Sequence, residues 1–214
     1  RMQLAQAQEA LVRVCRLLCS IRMHTQGLSL DDATRYFQAN AYMEELPASK
    51  EALRGTFRGE DDWQFDRFIC SQTIVMSLEG IPAFYIHSLL ATPNDHDQVA
   101  RRGMNRAINR HRWDYPTLLA QLDDPDSPQA RVLGALSARL KLRARQVAFH
   151  PNATQFTLNL DERIFGVWRQ SLDRDQSIFA LHNVSDEVVN VVASSLNMIE
   201  DEDWVDLLSG ERIE

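Results

Sequence analysis

Near residue 149 the hydrophobic period of this chain changes, and that change limits its possible architectures more than any other feature. Upstream, Phe65, Phe68, Ile69, Gln72 and Met76 recur at helical spacing, as do Val132, Leu133, Leu136 and Leu140. Downstream, Phe156, Leu158 and Leu160 alternate with Thr157 and Asn159. A period near 3.6 lines apolar side chains along one face of a helix, whereas a period of two puts them on one face of a strand. The expectation is α/β organisation over residues 1–147 and a small antiparallel all-β domain over 148–214, with the boundary at 147–152.

In chain order, Leu4, Ala7, Leu11, Val14, Leu18 and Met23 predict an amphipathic packing helix over 3–23, closed by Gly27. The stretch from Ser29 to Gly59 is irregular and polar, with Tyr36, Phe37, Tyr42 and Phe57 set in it. Asp61 and Asp62 place negative charge at the start of a helix that runs towards Gly80. A short helix is expected through Leu122, and the turn cluster Asp123–Pro128 opens another over 129–146. The cations Arg139, Lys141, Arg143 and Arg145 on that last helix read as a solvated face rather than an anion site. Strands are expected at 156–160, 164–168, 177–181, 188–192 and 204–208, separated by turn-forming residues.

Between these helices lies Gly80–His111, where the apolar run Ile81–Ile86 passes abruptly into polar sequence. Such a run, bounded by Gly and a polar loop, predicts a strand buried on both faces of a parallel sheet. In α/β folds the loop leaving the carboxyl end of a strand is where ligands collect. Asn94, Asp95, His96, Asn105, Arg106, Asn109, Arg110 and His111 make this loop suited to a ligand rich in hydroxyls or negative charge.

Charge and composition exclude other classes. With 44% hydrophobic and 25% charged residues the 214-residue chain is ordinary for a globular protein. A net charge of −7 argues against nonspecific nucleic-acid binding, which needs a basic face. No apolar run approaches a membrane span, and no secretory signal opens the chain, so the expected location is the cytoplasm. Cys15, Cys19 and Cys70 complete neither a zinc site nor a disulfide framework, and no metal or cofactor is expected. Arg1 in place of an initiator Met points to the tail of a longer protein.

Three segments carry a family resemblance: Gly80-Ile-Pro-Ala-Phe-Tyr-Ile-His87, Asn94-Asp95, and Asn105-Arg-Ala-Ile-Asn-Arg-His111. They resemble the last barrel strand and following loop of the sucrose-phosphorylase-like branch of the α-amylase superfamily, glycoside hydrolase family 13. Ala148-Phe-His-Pro-Asn-Ala-Thr154 and Leu181-His-Asn-Val-Ser-Asp186 resemble the tail of the same branch, on its glucosylglycerate-phosphorylase side. The resemblance covers residues 60–210. It implies the C-terminal part of a (β/α)8 TIM barrel, followed by a small antiparallel β-sandwich.

It also implies a retaining sugar phosphorylase, whose aspartate nucleophile and glutamate acid/base move glucose from an α-glucoside to phosphate. Two displacements need two carboxyls held close together. In the family these precede the last barrel strand, and no Asp or Glu before Ile81 sits in such a context. No catalytic residue is therefore expected here, and the 214 residues alone should be inactive. What the resemblance leaves is substrate binding. Arg106 falls on the family's glucose-clamping arginine, a task suited to a planar donor fork. Asp95 and Asn94 are expected to bind substrate while shaping the loop, with Asp95 the better candidate for a sugar hydroxyl; Arg110 and His111 stand between support and site, and Gln38 resembles a residue near the acceptor and phosphate site. His87 is expected to pack at the barrel rim. The expected partners are a small sugar substrate and inorganic phosphate. A hydrolase or transglucosidase of the same superfamily, and a noncatalytic carbohydrate-binding or structural fragment, remain the alternatives.

Overall fold

The computed structural model describes residues 53–56, 59–196 and 203–213. The helix expected over 3–23, Cys15, Cys19 and Gln38 lie outside the described residues. The elements are helices joined to three small antiparallel sheets. In order they are β1 (Gly55–Thr56), β2 (Gly59–Glu60), α1 (Gln64–Ser77), α2 (Ile86–Leu89), α3 (His96–Arg102), α4 (Tyr115–Asp123) and α5 (Pro128–Ala144). Then come β3 (Thr154–Leu158), β4 (Ile164–Gln170), β5 (Ser177–Asn183), β6 (Trp204–Val205) and β7 (Arg212–Ile213), with 3-10 turns at Asn105–Asn109, Val147–Phe149 and Ala193–Leu196. The chain forms two compact units, one of residues 1–68 and 85–130, the other of 69–84 and 131–214. Among the described residues no helix is long and apolar enough to cross a membrane.

In the first unit the helix starts follow from local chemistry. Asp61 accepts from the Trp63 amide at 2.9 Å and takes the Arg67 guanidinium on both oxygens, at 2.6 and 3.0 Å. That fork, with the amide, holds the Asp61 carboxyl below its ordinary range. Asp114 caps α4 by accepting from the Thr117 amide at 3.1 Å, with Pro116 in the first turn where its missing N–H costs nothing. Ser127 caps α5 through the Ala130 amide at 3.0 Å, again followed by a proline.

The second unit is built around the C-terminal end of α1. The last carbonyls of a helix have no partner within it, and α1 carries no basic residue in its last turn. Two distant arginines supply the donors. Arg143 of α5 donates from Nε to the Met76 carbonyl at 2.8 Å and from a terminal nitrogen to Gly80 at 3.1 Å. Arg169 of β4, fully buried, donates to the carbonyls of Ser77 at 3.4 Å, His150 at 3.0 Å and Ala153 at 3.4 Å. Both guanidiniums lie over the Phe149 ring, at 5.3 and 5.8 Å. Arg143, expected on a solvated face, is thus a structural clamp. The tail motif Ala148–Thr154 is the turn those carbonyls come from.

The sheet β3–β4–β5 has two distinct faces. One buries Gln155, Val167, Arg169 and His182. The other carries a ladder of aromatics in register, Phe156 on Trp168 at 4.8 Å and Trp168 against Phe179 at 5.7 Å. Trp204 of the separate β6–β7 pair stacks on Phe179 at 5.1 Å. Cross-strand aromatic pairs of this kind fix register as well as contributing packing.

Three strand expectations are corrected as well. Ile81–Ile86 is not a buried strand: 81–85 pair with no ladder among the described residues, Ile81 and Tyr85 are 82% and 50% exposed, and Ile86 opens α2. The physical reason is that an apolar run becomes a strand only beside partners, and Pro82 has no N–H to donate. Val188–Val192 is not a strand either. β5 ends at Asn183 in a side-chain-bonded turn to Glu187, and Val188 is 93% exposed. The strand expected over 204–208 stops at Val205, where Asp206 starts a turn by accepting from the Leu208 amide at 2.8 Å.

Candidate functional site

In the first unit, the residues between Tyr85 and Trp113 fold back on one another. Helix α2 lasts one turn and ends in a Schellman pattern: the Ala91 amide reaches the Ser88 carbonyl at 3.3 Å, and the Thr92 amide reaches His87 at 2.8 Å. The pattern needs a left-handed residue, here Ala91 at φ 44°, a position where glycine is usual. The turn returns Thr92, 2% exposed, to the side chain of His87, whose Nδ1 lies 3.0 Å from Thr92 Oγ1. The indole Nε1–H of Trp113 donates to that same hydroxyl oxygen at 2.9 Å.

Asp95 starts α3 as its N-cap, Oδ1 accepting from the Gln98 amide at 2.9 Å, while Oδ2 lies 3.3 Å from His111 Nδ1. The Gln98 amide first, and the His111 contact after it, hold the Asp95 carboxyl below its ordinary range. An ionised carboxylate only accepts, so His111 carries its proton on Nδ1. Burial first, and the neighbouring His111 after it, push the His87 pKa down. His111 meets Trp113 edge-on at 4.9 Å and Tyr85 meets His87 edge-on at 5.0 Å, which closes the array.

The turn bearing Arg106 is tied to this array. The Asp95 amide donates to the Ile108 carbonyl at 2.7 Å, Gln98 Nε2 to the Arg110 carbonyl at 3.3 Å, and the Tyr85 hydroxyl to the Asn109 carbonyl at 2.8 Å. Ala107 is buried at 2% and pins the turn, while Arg106 and Arg110 stand exposed on either side. Asn94 precedes the cap and is half-buried. Of the expected binding residues, the structure therefore gathers Asn94, Asp95, Arg106, Arg110 and His111 in one loop system.

His87 belongs to the array, and Thr92 and Trp113, which no motif singled out, link it together. Among the described residues no group of three or more His, Cys, Asp or Glu is placed to hold a metal ion. A concavity of about 480 Å³ in the second unit is lined by Arg145, Phe149, His150 and Asp173 among others, and none of the expected site residues lines it.

No family model matches the chain. It is similar to glucosylglycerate phosphorylase of Spirochaeta thermophila, 37% identical over 119 residues, 56% of this chain and 20% of that protein. The enzyme of the same name from Allomeiothermus silvanus is 37% identical over 138 residues, 64% of this chain and 24% of its own. That from Escherichia coli K12 is 31% identical over 152 residues, 71% of this chain and 27% of its own. The matched stretch thus spans about a quarter of the length of these relatives or less. The chain is a relative of part of the glucosylglycerate phosphorylases, in agreement with the sucrose-phosphorylase-like resemblance of its loop and tail motifs.

Proposed function

We propose that the protein containing this chain is a retaining sugar phosphorylase. It transfers glucose from an α-glucoside, of the sucrose or glucosylglycerate type, to phosphate and yields α-glucose 1-phosphate. The observation that carries this reading is the agreement of three relatives that bear one activity in their names. The loop system adds to it, since Arg106, Arg110, Asn94, Asp95 and His111 are the residue types that hold a sugar's hydroxyls and a negative charge. Arg106 grips the glucosyl ring and Gln38 serves the acceptor side. The nucleophile and the acid/base, about 5 Å apart in retaining enzymes, come from outside these residues, so the 214 residues alone turn over nothing.

The same reading extends to the architecture. Residues 1–147 belong to the end of a (β/α)8 barrel and 148–214 to a C-terminal antiparallel β-sandwich domain. The protein works in the cytoplasm.

The test is phosphate dependence in the whole protein. Glucose 1-phosphate should appear from glucosylglycerate or sucrose only when inorganic phosphate is present. Equal consumption of the glucoside in phosphate-free buffer would establish a hydrolase or transglucosidase instead. Sugar binding without turnover in either buffer would establish a noncatalytic carbohydrate-binding protein.

A further inference from the structure

Both histidines of the array are held by one nitrogen only. Thr92 is buried, so its hydroxyl proton needs an acceptor. Its oxygen already receives the Trp113 indole N–H, and the acceptor within reach among the described residues is His87 Nδ1. The order of donation therefore runs from Trp113 to Thr92 to His87, which leaves the proton of His87 on Nε2. His111 is held the opposite way. It donates from Nδ1 to Asp95, so its Nε2 carries a lone pair when the ring is neutral and a proton when it is charged.

Neither Nε2 has a partner among the described residues, and both rings retain exposed surface. The two rings are joined through Thr92 and Trp113: the hydroxyl 3.0 Å from His87 Nδ1 receives the Trp113 indole N–H at 2.9 Å, and His111 meets Trp113 edge-on at 4.9 Å. Arg110, next to His111 in the chain, presents an exposed guanidinium, while its carbonyl accepts from Gln98 Nε2 at 3.3 Å and its amide donates to the Ala107 carbonyl at 3.2 Å. A group that matches this set accepts from a fixed N–H and a guanidinium, and also satisfies a nitrogen that either donates or accepts. Hydrogen phosphate does this, since its oxygens accept and its P–OH donates to an imidazole lone pair. A carboxylate does it only with His111 protonated.

We infer that His87 and His111, together with Arg110, form an oxyanion-binding pair that takes phosphate or a substrate carboxylate on its two Nε2 atoms. This rests on the phosphorylase reading for the source of the anion and on the hydrogen-bond pattern for the site itself. His87 thereby becomes a binding residue rather than a packing one.

The experiment uses the whole protein with ¹⁵N-labelled histidine. The imidazole resonances are followed as inorganic phosphate is added and, separately, glycerate, a small hydroxycarboxylate. The Nε2 signals of both His87 and His111 should shift saturably with phosphate. The variant His87→Asn keeps an oxygen for Thr92 but has nothing at the Nε2 position, and should weaken phosphate binding about ten-fold or more. His87→Gln places an amide near Nε2 and should recover part of the loss, which a merely structural histidine would not show. Saturable shifts with glycerate alone would support the pair while assigning its anion to the acceptor side. Phosphate-induced shifts in a protein that performs no phosphorolysis would keep the site and overturn the proposed activity. Active phosphorolysis with neither histidine responding to either anion would overturn the inference.

Discussion

Thr92 holds His87 twice: its amide donates to the His87 carbonyl at 2.8 Å, and its hydroxyl lies 3.0 Å from the His87 imidazole Nδ1. The backbone bond is part of the α2 cap and would survive a change of side chain. The hydroxyl bond would not, and its loss also strands the buried end of the Trp113 donation. Thr92→Val should therefore destabilise the protein by about 1–3 kcal/mol, the usual cost of leaving a buried polar partner unpaired. Thr92→Ser, which restores the hydroxyl, should recover most of it. Denaturant midpoints measured at unchanged slope would show this, and equal midpoints for wild type and the valine variant would contradict it.

His182 sets a pH limit on the second unit. Its Nε2 lies 3.3 Å from Ser77 Oγ, and that hydroxyl donates to the Ile74 carbonyl at 2.8 Å, so Nε2 carries a proton and is the donor. Burial lowers its pKa from 6.5 to about 4. The unfolded chain therefore takes up a proton below pH 6.5 that the folded chain refuses until about pH 4. The stability His182 contributes is fully present above pH 6.5 and drains away as pH falls towards 4, by something like 3 kcal/mol. His182→Gln keeps a donor without the titration and should flatten this part of the stability profile. A variant as acid-sensitive as wild type over pH 4–6.5 would assign the loss to other groups.

Much of the described fold is legible in the sequence, and the reasons differ by element. α1, α4, α5 and the cores of β3, β4 and β5 follow from periodicity and caps that act within a few residues. α3 carries the same signals, Asp95 before it and Gly103 (φ 63°) after it, but little apolar content to draw attention to it. Ile81–Ile86 and Val188–Val192 look like strands because composition reports a preference, while pairing is decided by partners elsewhere. Asp95, Arg106 and His111 are singled out by resemblance, and the structure places them in one loop system. Thr92 is not singled out, because its role depends on a left-handed alanine and on an indole 21 residues further on.

Arg169 was readable in principle. It shares strand parity with the buried Val167, so its side chain faces the same way, and a cation there demands acceptors. Arg169→Met would leave the carbonyls of Ser77, His150 and Ala153 short of a buried donor. The expected loss is about 3 kcal/mol or more, with lysine intermediate because it keeps the charge without the fork. A methionine variant with a wild-type urea midpoint would mean that these carbonyls find other donors.

Arg106 offers the sharpest test of what the loop does. It stands exposed on a turn that is fixed at Ala107 and held to α3 through Ile108 and Arg110. If the guanidinium positions the glucosyl ring, it acts in both the ground state and the transition state, and misplacement costs rate as well as affinity. In the whole protein, Arg106→Ala should raise KM and lower kcat together, with kcat/KM falling on the order of a hundred-fold. Arg106→Lys should stay close to alanine, because a point charge does not reproduce the planar fork. Arg101→Ala, an exposed cation of α3, serves as the control and should leave both constants unchanged. An Arg106→Ala enzyme with wild-type kcat/KM would remove this residue from the site, whatever the activity proves to be.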